Sequence, residues 1–145
     1  MQQFDTFFPH ETRIRIPMSM VDQGNVVYHS RYLDLYHEAR DRYMDAAGHS
    51  YALLMEKDYH LAVADAHLQF RKPVRYMETA IIRTRFNWMK SRSLSVIQEI
   101  SKETEGMEEL CNRAEIILVC IGPTFTAAQI PEGLKESIRR FQGVS

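Results

Sequence analysis

The chain has 145 residues, of which 45% are apolar and 26% charged, and its formal net charge is -1 at pH 7. A chain of this length buries enough surface to fold without disulfide or metal staples, and the composition is that of a globular protein rather than a disordered one. The near-zero charge excludes the basic footprint of a dedicated nucleic-acid binder. We therefore expect one domain over residues 1–145.

Two features bear on the cellular setting. The segment Met1–Pro9 lacks the basic start and apolar stretch of a signal peptide, and no apolar run is long enough to span a bilayer. Cys111 and Cys120 lie nine positions apart in one predicted strand. An intact strand separates them by roughly 30 Å, which is too far for a disulfide. These features favour a reduced, cytoplasmic protein.

The first predicted elements are a short strand, a loop and a long helix. Residues 11–16 alternate polar and apolar side chains, and Pro17 ends this strand. Residues 19–29 are rich in turn formers and predict an irregular loop. Apolar residues then recur at helical spacing over residues 31–47, with Ser30 as the expected N-cap and Gly48 as the expected left-handed C-terminal residue.

Four strand-like segments follow a short helix at residues 51–57. They are Tyr59–Phe70, Thr79–Met89, Ser93–Ser101 and Leu110–Ile121. The charged stretch 102–109 contains Gly106 and predicts a hairpin loop, and Pro131 is expected to start a terminal helix through Arg140. Strict alternation divides the first segment into two faces, with Ala62, Ala64, Ala66, Leu68 and Phe70 on one and Asp65, His67 and Gln69 on the other. In the second segment, Ile82, Phe86 and Trp88 are expected to share a face.

The order of these elements predicts the fold class. One strand, one long helix and four consecutive strands favour an α+β domain, with the four strands as an antiparallel meander and the helix on one face. The far face and the edge strands need protection, and self-association supplies it economically. We therefore expect a homodimer or homotetramer.

The most informative segment runs from Asp22 to Leu33, where a carboxylate stands in a loop just before a helix. Helix N-termini carry unpaired N–H groups with positive dipole character, which stabilise a developing oxyanion. A nearby carboxylate such as Asp22 attacks a carbonyl or activates a water, and His29 adds a second polar group. The alternative is an ordinary turn with an Asp that only complements the helix dipole.

This segment closely resembles the active-site segment of the 4-hydroxybenzoyl-CoA thioesterase family of hotdog proteins. The matching positions are Asp22, Gly24, Val26, Val27, Tyr28, His29 and Tyr32. The resemblance continues through Glu38-Ala39-Arg40 and through residues 70–76, and it covers most of residues 13–121. The chain departs from the family pattern at Met18, Met20 and Gln23, and these differences concern substrate choice more than reaction type.

The resemblance implies a hotdog fold, in which an antiparallel sheet wraps around one long helix, and an acyl-CoA substrate. By the resemblance, Asp22 is the catalytic nucleophile or general base. The backbone N–H of His29 polarises the thioester carbonyl, the His29 side chain supports catalysis, and Tyr28 belongs to the substrate-binding motif. Similar enzymes use no metal and no redox cofactor, and their sites lie at the dimer interface.

Other polar residues are weaker candidates. The basic pairs Lys90 with Arg92 and Arg71 with Lys72 are expected to hold CoA phosphates, or else to be solvated surface charges. Glu38 is expected to pair with Arg42 at the i+4 position rather than to serve the site. Asp65 and His67 are expected at a subunit contact, and His60 and His67 lack a metal-ligand spacing.

Three further readings remain beside the thioesterase. The chain is alternatively a non-catalytic module that binds acyl-CoA or acyl-carrier protein. Binding alone does not require a carboxylate such as Asp22 next to the thioester carbonyl. It is also compatible with a purely structural partner in a complex, which needs no pocket between subunits. A hotdog dehydratase fits less well, because no Asp/His pair of the hydratase type stands on the central helix.

Overall fold

A computed structural model describes residues 1–143 as an antiparallel sheet of six strands with a long helix packed on one face. In chain order the elements are β1 (Gln2–Gln3), β2 (His10–Arg15), α1 (Arg31–Ala46), α2 (Tyr51–Glu56), β3 (His60–Phe70), β4 (Thr79–Met89), β5 (Ser93–Thr104), β6 (Met107–Ile121) and α3 (Glu132–Gln142). This confirms the predicted α+β class. Over the described residues, no helix is long and apolar enough to cross a membrane.

The strand order departs from the prediction at one place. The order is β1-β4-β5-β6-β3, with β2 also paired to β4. Strands β4, β5 and β6 form the expected meander, but β3 pairs with β6 and not with β4, so a meander of all four strands is wrong. The physical reason is the connection from β3 to β4. Residues 71–78 reach roughly 26 Å when extended, enough to cross a sheet three strand spacings wide, about 14 Å.

Helix α1 forms because its apolar residues fall on one stripe that the sheet buries. The buried residues of this helix are Tyr32, Leu35, Tyr36, Ala39, Tyr43 and Met44. Each large apolar side chain removed from water contributes about 1.5–3 kcal/mol, so this stripe fixes the helix on the sheet. Gly48 adopts the predicted left-handed conformation, with φ 85°. The predicted Ser30 cap is wrong, because Ser30 is itself helical and its hydroxyl makes no capping bond.

Polar side chains also hold α1 against the sheet. The Tyr36 hydroxyl donates to Asn112 Oδ1 at 2.7 Å, and Gln98 Nε2 donates to the Tyr36 carbonyl at 3.0 Å. The Tyr43 hydroxyl donates at 3.0 Å to Gln142, which ties α1 to the end of α3. Burial raises the pKa of both tyrosines, so both hydroxyls stay protonated and keep their role as donors.

Two β-bulges change which side chains share a face. The register of β3 shifts between Val63 and Asp65, so Ala62 lies with Asp65 on the face away from α1, and Val63 lies on the helix side. The register of β4 shifts between Phe86 and Trp88. Phe86 is buried but Trp88 is only half-buried, so the shared face predicted for them is wrong. A bulge inserts one extra residue, which inverts the alternation beyond it.

The charged stretch at residues 102–109 is mostly strand rather than loop. Strand β5 continues to Thr104 and β6 begins at Met107. Only Glu105 and Gly106 form the turn, with φ 53° and 77°. Two positive φ values in succession are typical of the type I′ turn, whose twist matches that of a hairpin. Apart from the buried Lys102, most polar side chains of this stretch are exposed, so the polar sequence reflects an exposed hairpin end rather than a loop.

Candidate active site

Residues 22–29, which we call the Asp22 loop, are shaped by the side chain of Asp22 itself. Oδ1 accepts hydrogen bonds from Gly24 N at 2.9 Å and from Val26 N at 3.5 Å. The backbone carbonyl of Asp22 accepts from Asn25 N at 3.0 Å, and Asn25 is left-handed with φ 60°. A Cβ at Gly24 would come within 3.2 Å of Oδ1, which explains a glycine at this position. The other carboxylate oxygen, Oδ2, accepts no hydrogen bond from residues 1–143.

A short backbone segment, residues 73–76, holds this loop from behind. We call it the strap. Val27 N donates to Val74 O at 2.8 Å, and Tyr76 N donates to the Asn25 side chain at 3.3 Å. Val74 N in turn donates to the Tyr32 hydroxyl at 3.3 Å, which links the strap to the first turn of α1. The loop, the strap and the helix N-terminus therefore form one bonded unit.

Lys102 fixes the strap to the sheet, a role that sequence reasoning missed. Its ammonium donates to Pro73 O at 2.8 Å and to Glu78 Oε1 at 3.2 Å. The same Glu78 oxygen accepts from Arg75 N at 2.7 Å. Only 9% of Lys102 is exposed. Lysines are rarely buried to this extent unless they are paired, as Lys102 is here. No pattern in the sequence indicates this role, because Lys102 lies in a run of charged residues typical of a solvated hairpin.

The loop, the helix N-terminus and the end of β3 line an open pocket of about 310 Å³, which we call the Asp22 cavity. Its lining is formed by Asp22, Val26, Val27, His29, Tyr32, Phe70, Arg71, Lys72 and Pro73. The structure therefore brings four of the candidate residues together: Asp22, His29, Arg71 and Lys72. Tyr28 does not line this cavity. Its exposed ring lies against His29, with centroids 4.4 Å apart.

The N-terminus of α1 supplies free hydrogen-bond donors beside this cavity. Within residues 1–143, the backbone N–H groups of His29 and Ser30 donate to no acceptor. Unpaired N–H groups at a helix start carry partial positive charge and favour a negative oxygen. Asp22 and His29 line the same cavity, and Ser30 follows His29 directly, so a carboxylate and these donors belong to one short segment beside it.

The sequence matches the model of the thioesterase-like superfamily over residues 16–138. The chain belongs to this superfamily. The putative acyl-CoA thioesterase YneP of Bacillus subtilis is 30% identical over 71 residues, which is 49% of this chain and 51% of that protein.

Solved structures give the same fold. A hypothetical protein from Thermus thermophilus is 28% identical, with a TM-score of 0.81 over 92% of this chain and 97% of that chain. A 1,4-dihydroxy-2-naphthoyl-CoA thioesterase from Synechocystis, 21% identical, superposes with a TM-score of 0.79 over 88% of this chain and 93% of that one. The predicted hotdog fold is confirmed. The family match and the thioesterase relatives make the chain a thioester hydrolase.

Not every candidate residue of this hydrolase lies near Asp22. Lys90 lies over the Trp88 ring at 4.8 Å, and Arg92 O accepts from Cys120 N. Cys120 pairs with Leu61 at the start of β3, whereas the Asp22 cavity lies at Phe70, its other end. Ten residues of strand separate these ends by roughly 30 Å. Within one chain, Lys90 and Arg92 are therefore remote from Asp22, and their contact with CoA stays a prediction.

The remaining candidates have simpler roles. Glu38 pairs with Arg42 at 3.0 Å, as predicted. Asp65 and His67 are exposed on β3. No group of three or more His, Cys, Asp or Glu side chains in residues 1–143 is arranged to hold a metal. The thiols of Cys111 and Cys120 are free, and burial raises the pKa of both, which keeps them protonated and unreactive.

A second cavity, of about 300 Å³, lies between the second half of α1 and the start of β3. We call it the Arg40 cavity. Its lining includes Arg40, Asp41, Met44, Tyr51, Leu61, Val63 and Phe86. Burial lowers the pKa of Arg40 to about 10, and its guanidinium still carries its charge at neutral pH. The sequence indicated Arg40 only as part of the helix pattern and gave no sign of this cavity.

Proposed function

We propose that this hydrolase cleaves acyl-CoA thioesters, with Asp22 as nucleophile or general base and with the N–H groups of His29 and Ser30 as the oxyanion site. One observation carries the proposal. The Asp22 cavity lies at a carboxylate with a free Oδ2 and at a helix start whose first N–H groups are unpaired. That arrangement suits a carbonyl whose oxygen becomes negative during attack.

Two routes fit this arrangement. In the first, Asp22 takes a proton from a water, the water oxygen attacks the acyl carbon, and the C–S bond breaks to release CoA as the thiolate. In the second, Asp22 itself attacks, CoA thiolate leaves, and water hydrolyses the acyl anhydride on Asp22. In both, the helix N–H groups stabilise the same oxyanion. Removing one such donor from an oxyanion site typically costs 10²–10³-fold in kcat.

Two observations support CoA as the carrier of the acyl group: basic side chains beside the Asp22 cavity and the similarity to known proteins. Arg71 and Lys72 line the Asp22 cavity and are exposed, so both are free to bind the phosphates of CoA. The similarity to a putative acyl-CoA thioesterase of Bacillus subtilis supports CoA as the carrier.

We further propose that the active form is a homodimer joined along β3, or a homotetramer made of two such dimers. This strand is an edge of the sheet, and most of its side chains are exposed in the single chain. Val63 is 51% and Phe70 57% exposed, which is costly for apolar side chains on an unpaired edge. Pairing with a second β3 about a two-fold axis covers both.

The decisive experiment replaces Asp22 by Asn. The amide oxygen still accepts from Gly24 N and Val26 N, so the loop keeps its shape, but the base and nucleophile are lost. We expect kcat for acyl-CoA hydrolysis to fall by roughly 10²–10⁴-fold, with substrate binding and the melting temperature nearly unchanged. Released thiol reports turnover, and calorimetry reports binding.

The matched control is Asp34→Asn. Asp34 also stands at the start of α1, where it pairs with Arg31 at 3.0 Å, but it does not line the Asp22 cavity. If Asp22 serves only the helix dipole, both variants lose about 0.3–1 kcal/mol of stability and neither loses turnover. Near wild-type turnover of D22N would refute the mechanism and favour a module that only binds its thioester.

A further inference from the structure

Arg40 is a half-buried cation with little to neutralise it. Its Nη1 donates to Gln98 Oε1 at 3.1 Å, and this is its only hydrogen bond within residues 1–143. No carboxylate in the same part of the chain lies within 4.0 Å of its guanidinium. Burial lowers the pKa of Arg40 to about 10, because the cation has lost water without gaining an anion. A guanidinium has five donors, so four remain for a ligand.

The position of Arg40 is fixed before any ligand arrives. Gln98 is fully buried, and its amide donates to the Tyr36 carbonyl at 3.0 Å and to Thr84 Oγ1 at 2.9 Å. Those two bonds orient the Gln98 oxygen toward Arg40. A side chain held in this way binds a second group with little loss of rotamer entropy.

The Arg40 cavity combines this cation with apolar walls. Met44, Leu61 and Phe86 supply the apolar surface. The Tyr51 hydroxyl accepts from Leu61 N at 2.9 Å, which leaves its own proton to donate. Asp41 is the one carboxylate among the lining residues, and its exposure to solvent screens it from the half-buried guanidinium. About 300 Å³ lined by one guanidinium and by apolar side chains suits a short aliphatic chain that ends in an anion.

Within one chain this cavity is too far from Asp22 to serve the same substrate. From Arg31 to Arg40, α1 rises about 14 Å, whereas a five-carbon acyl group spans roughly 6 Å. Antiparallel pairing of two β3 strands removes the difficulty. It brings the Leu61 end of one β3, which lines the Arg40 cavity, to the Phe70 end of the other, which lines the Asp22 cavity.

We propose that the Arg40 cavity of one subunit receives the far end of the acyl group whose thioester is cleaved at Asp22 of the other, and that Arg40 selects acyl groups ending in a carboxylate. The substrates of this class are CoA monothioesters of short dicarboxylic acids. The inference rests on the proposed function, since it assigns the acyl end of the same reaction. Arg40 and the acyl carboxylate form a bidentate ion pair in a site shielded from water.

The test compares two thioesters of equal carbon number, glutaryl-CoA with a terminal carboxylate and valeryl-CoA without one. We expect wild-type kcat/KM to be about tenfold or more higher for glutaryl-CoA. Arg40→Met should lower kcat/KM for glutaryl-CoA by roughly 10- to 100-fold and leave valeryl-CoA within about twofold. Arg40→Lys keeps the positive charge but cannot donate two parallel hydrogen bonds to a carboxylate. Its kcat/KM for glutaryl-CoA should therefore lie between those of the wild type and Arg40→Met.

Arg42→Met is the matched control. Arg42 lies on the same helix and pairs with Glu38 and Thr12, but it does not line the Arg40 cavity. It should leave the preference for glutaryl-CoA unchanged. Equal wild-type hydrolysis of the two thioesters overturns the inference whether or not the Arg40 variants fold, and the proposed function still stands. If neither thioester is hydrolysed, the proposed function is in question. In that case the affinities of the protein for glutaryl-CoA and valeryl-CoA, measured by calorimetry, decide the inference. Tighter binding of glutaryl-CoA supports it, and equal binding overturns it.

Mixed dimers test the sharing of the site. In a dimer of one D22N chain and one R40M chain, one site combines both changes and the other combines neither. Random co-assembly of the two variants should therefore restore about a quarter of wild-type turnover of glutaryl-CoA. If both residues act within one chain, no wild-type site forms and turnover does not exceed that of the two variants measured separately. That result would overturn the shared site.

Discussion

The two carboxylate oxygens of Asp22 have different surroundings. Oδ1 accepts from Gly24 N and Val26 N and so shapes the loop, while Oδ2 is the oxygen to which the proposed mechanism assigns the chemistry. This division explains why Asn and Ala at position 22 are different tests. Asn keeps the structural oxygen, whereas Ala leaves two loop N–H groups without their acceptor. A loss of turnover in Ala alone would report on the loop rather than on the charge.

At Arg71 and Lys72 we predict an effect on binding. Replacing both by Gln removes positive charge beside the Asp22 cavity, and contacts to CoA phosphates are the same in the ground state and the transition state. KM should therefore rise about tenfold with kcat nearly unchanged. Raising the ionic strength should reduce the difference between variant and wild type. An unchanged KM in initial-rate measurements would place the CoA phosphates elsewhere.

Glu108 carries a prediction about pH. Two hydrogen bonds of 2.8 Å from Arg83 lower the pKa of Glu108 below its ordinary value. A lowered folded-state pKa adds stability above the unfolded pKa of about 4.3, and the gain disappears as pH falls through the folded pKa. Because the pair is exposed, Glu108→Gln should cost only about 0.5 kcal/mol near neutral pH and nothing near pH 2.

Urea unfolding of Glu108→Gln at both pH values checks this. Glu56→Gln is the control, because Glu56 is exposed at the end of α2 and forms no ion pair with the described residues. A stability difference that persists unchanged into acid would show that the contact of Glu108 with Arg83 is not the cause.

At the scale of elements, the site depends on a segment that is neither helix nor strand. The strap receives bonds from the Asp22 loop on one side and from Lys102 of β5 on the other. It also contacts the Tyr32 hydroxyl in α1, so three separate elements meet there. A small displacement of the strap therefore moves Asp22 relative to the helix N-terminus.

Lys102→Met tests the strap. The change leaves Pro73 O and Glu78 without their ammonium donor, and we expect stability to fall by about 1.5–3 kcal/mol. Because misplacing a reacting group by 1 Å costs up to about 10²-fold, kcat should fall by about tenfold while KM changes little. Lys102→Arg, which keeps the donor, should recover part of kcat. If the folded Met variant turns over at the wild-type rate, Lys102 only stabilises the sheet.

At the scale of the whole molecule, the two unprotected surfaces of the sheet differ. The face away from α1 carries ion pairs, among them Arg83 with Glu11 and Arg113 with Glu99. Its central residue Ile97 is 2% exposed in the single chain, flanked across the strands by Arg85 and Glu115. The β3 edge has no such cover. The edge is therefore the surface that most needs a partner.

We predict a stable dimer at micromolar concentration, measured by light scattering. Ala66→Glu should weaken it by at least tenfold, because the exposed Ala66 lies near the middle of β3 and two copies of the new charge would meet close to the two-fold axis. Met107→Glu, at the exposed tip of the β5–β6 hairpin, should have no effect. A wild-type monomer with full activity would contradict both the dimer and the shared site.

The sequence by itself determined the features that depend on neighbours along the chain. Helix α1, its left-handed end at Gly48 and the Asp22 loop all follow from spacing and turn chemistry within a few residues. These are enough to indicate the α+β class, the hotdog resemblance and four residues of one cavity.

Only the tertiary structure decided the place of β3, the bulges, the burial of Lys102 and the Arg40 cavity. Each depends on contacts between residues far apart in sequence. The sequence of residues 71–78 is compatible both with a tight turn to a neighbouring strand and with a crossing to the far side of the sheet. A β-bulge adds one residue to a strand and so exchanges the two faces for the side chains beyond it, without changing the composition of the strand. The side chain of a lysine or an arginine loses its contact with water only when elements distant in sequence pack around it. The polar–apolar alternation within one strand does not show which distant elements will do so.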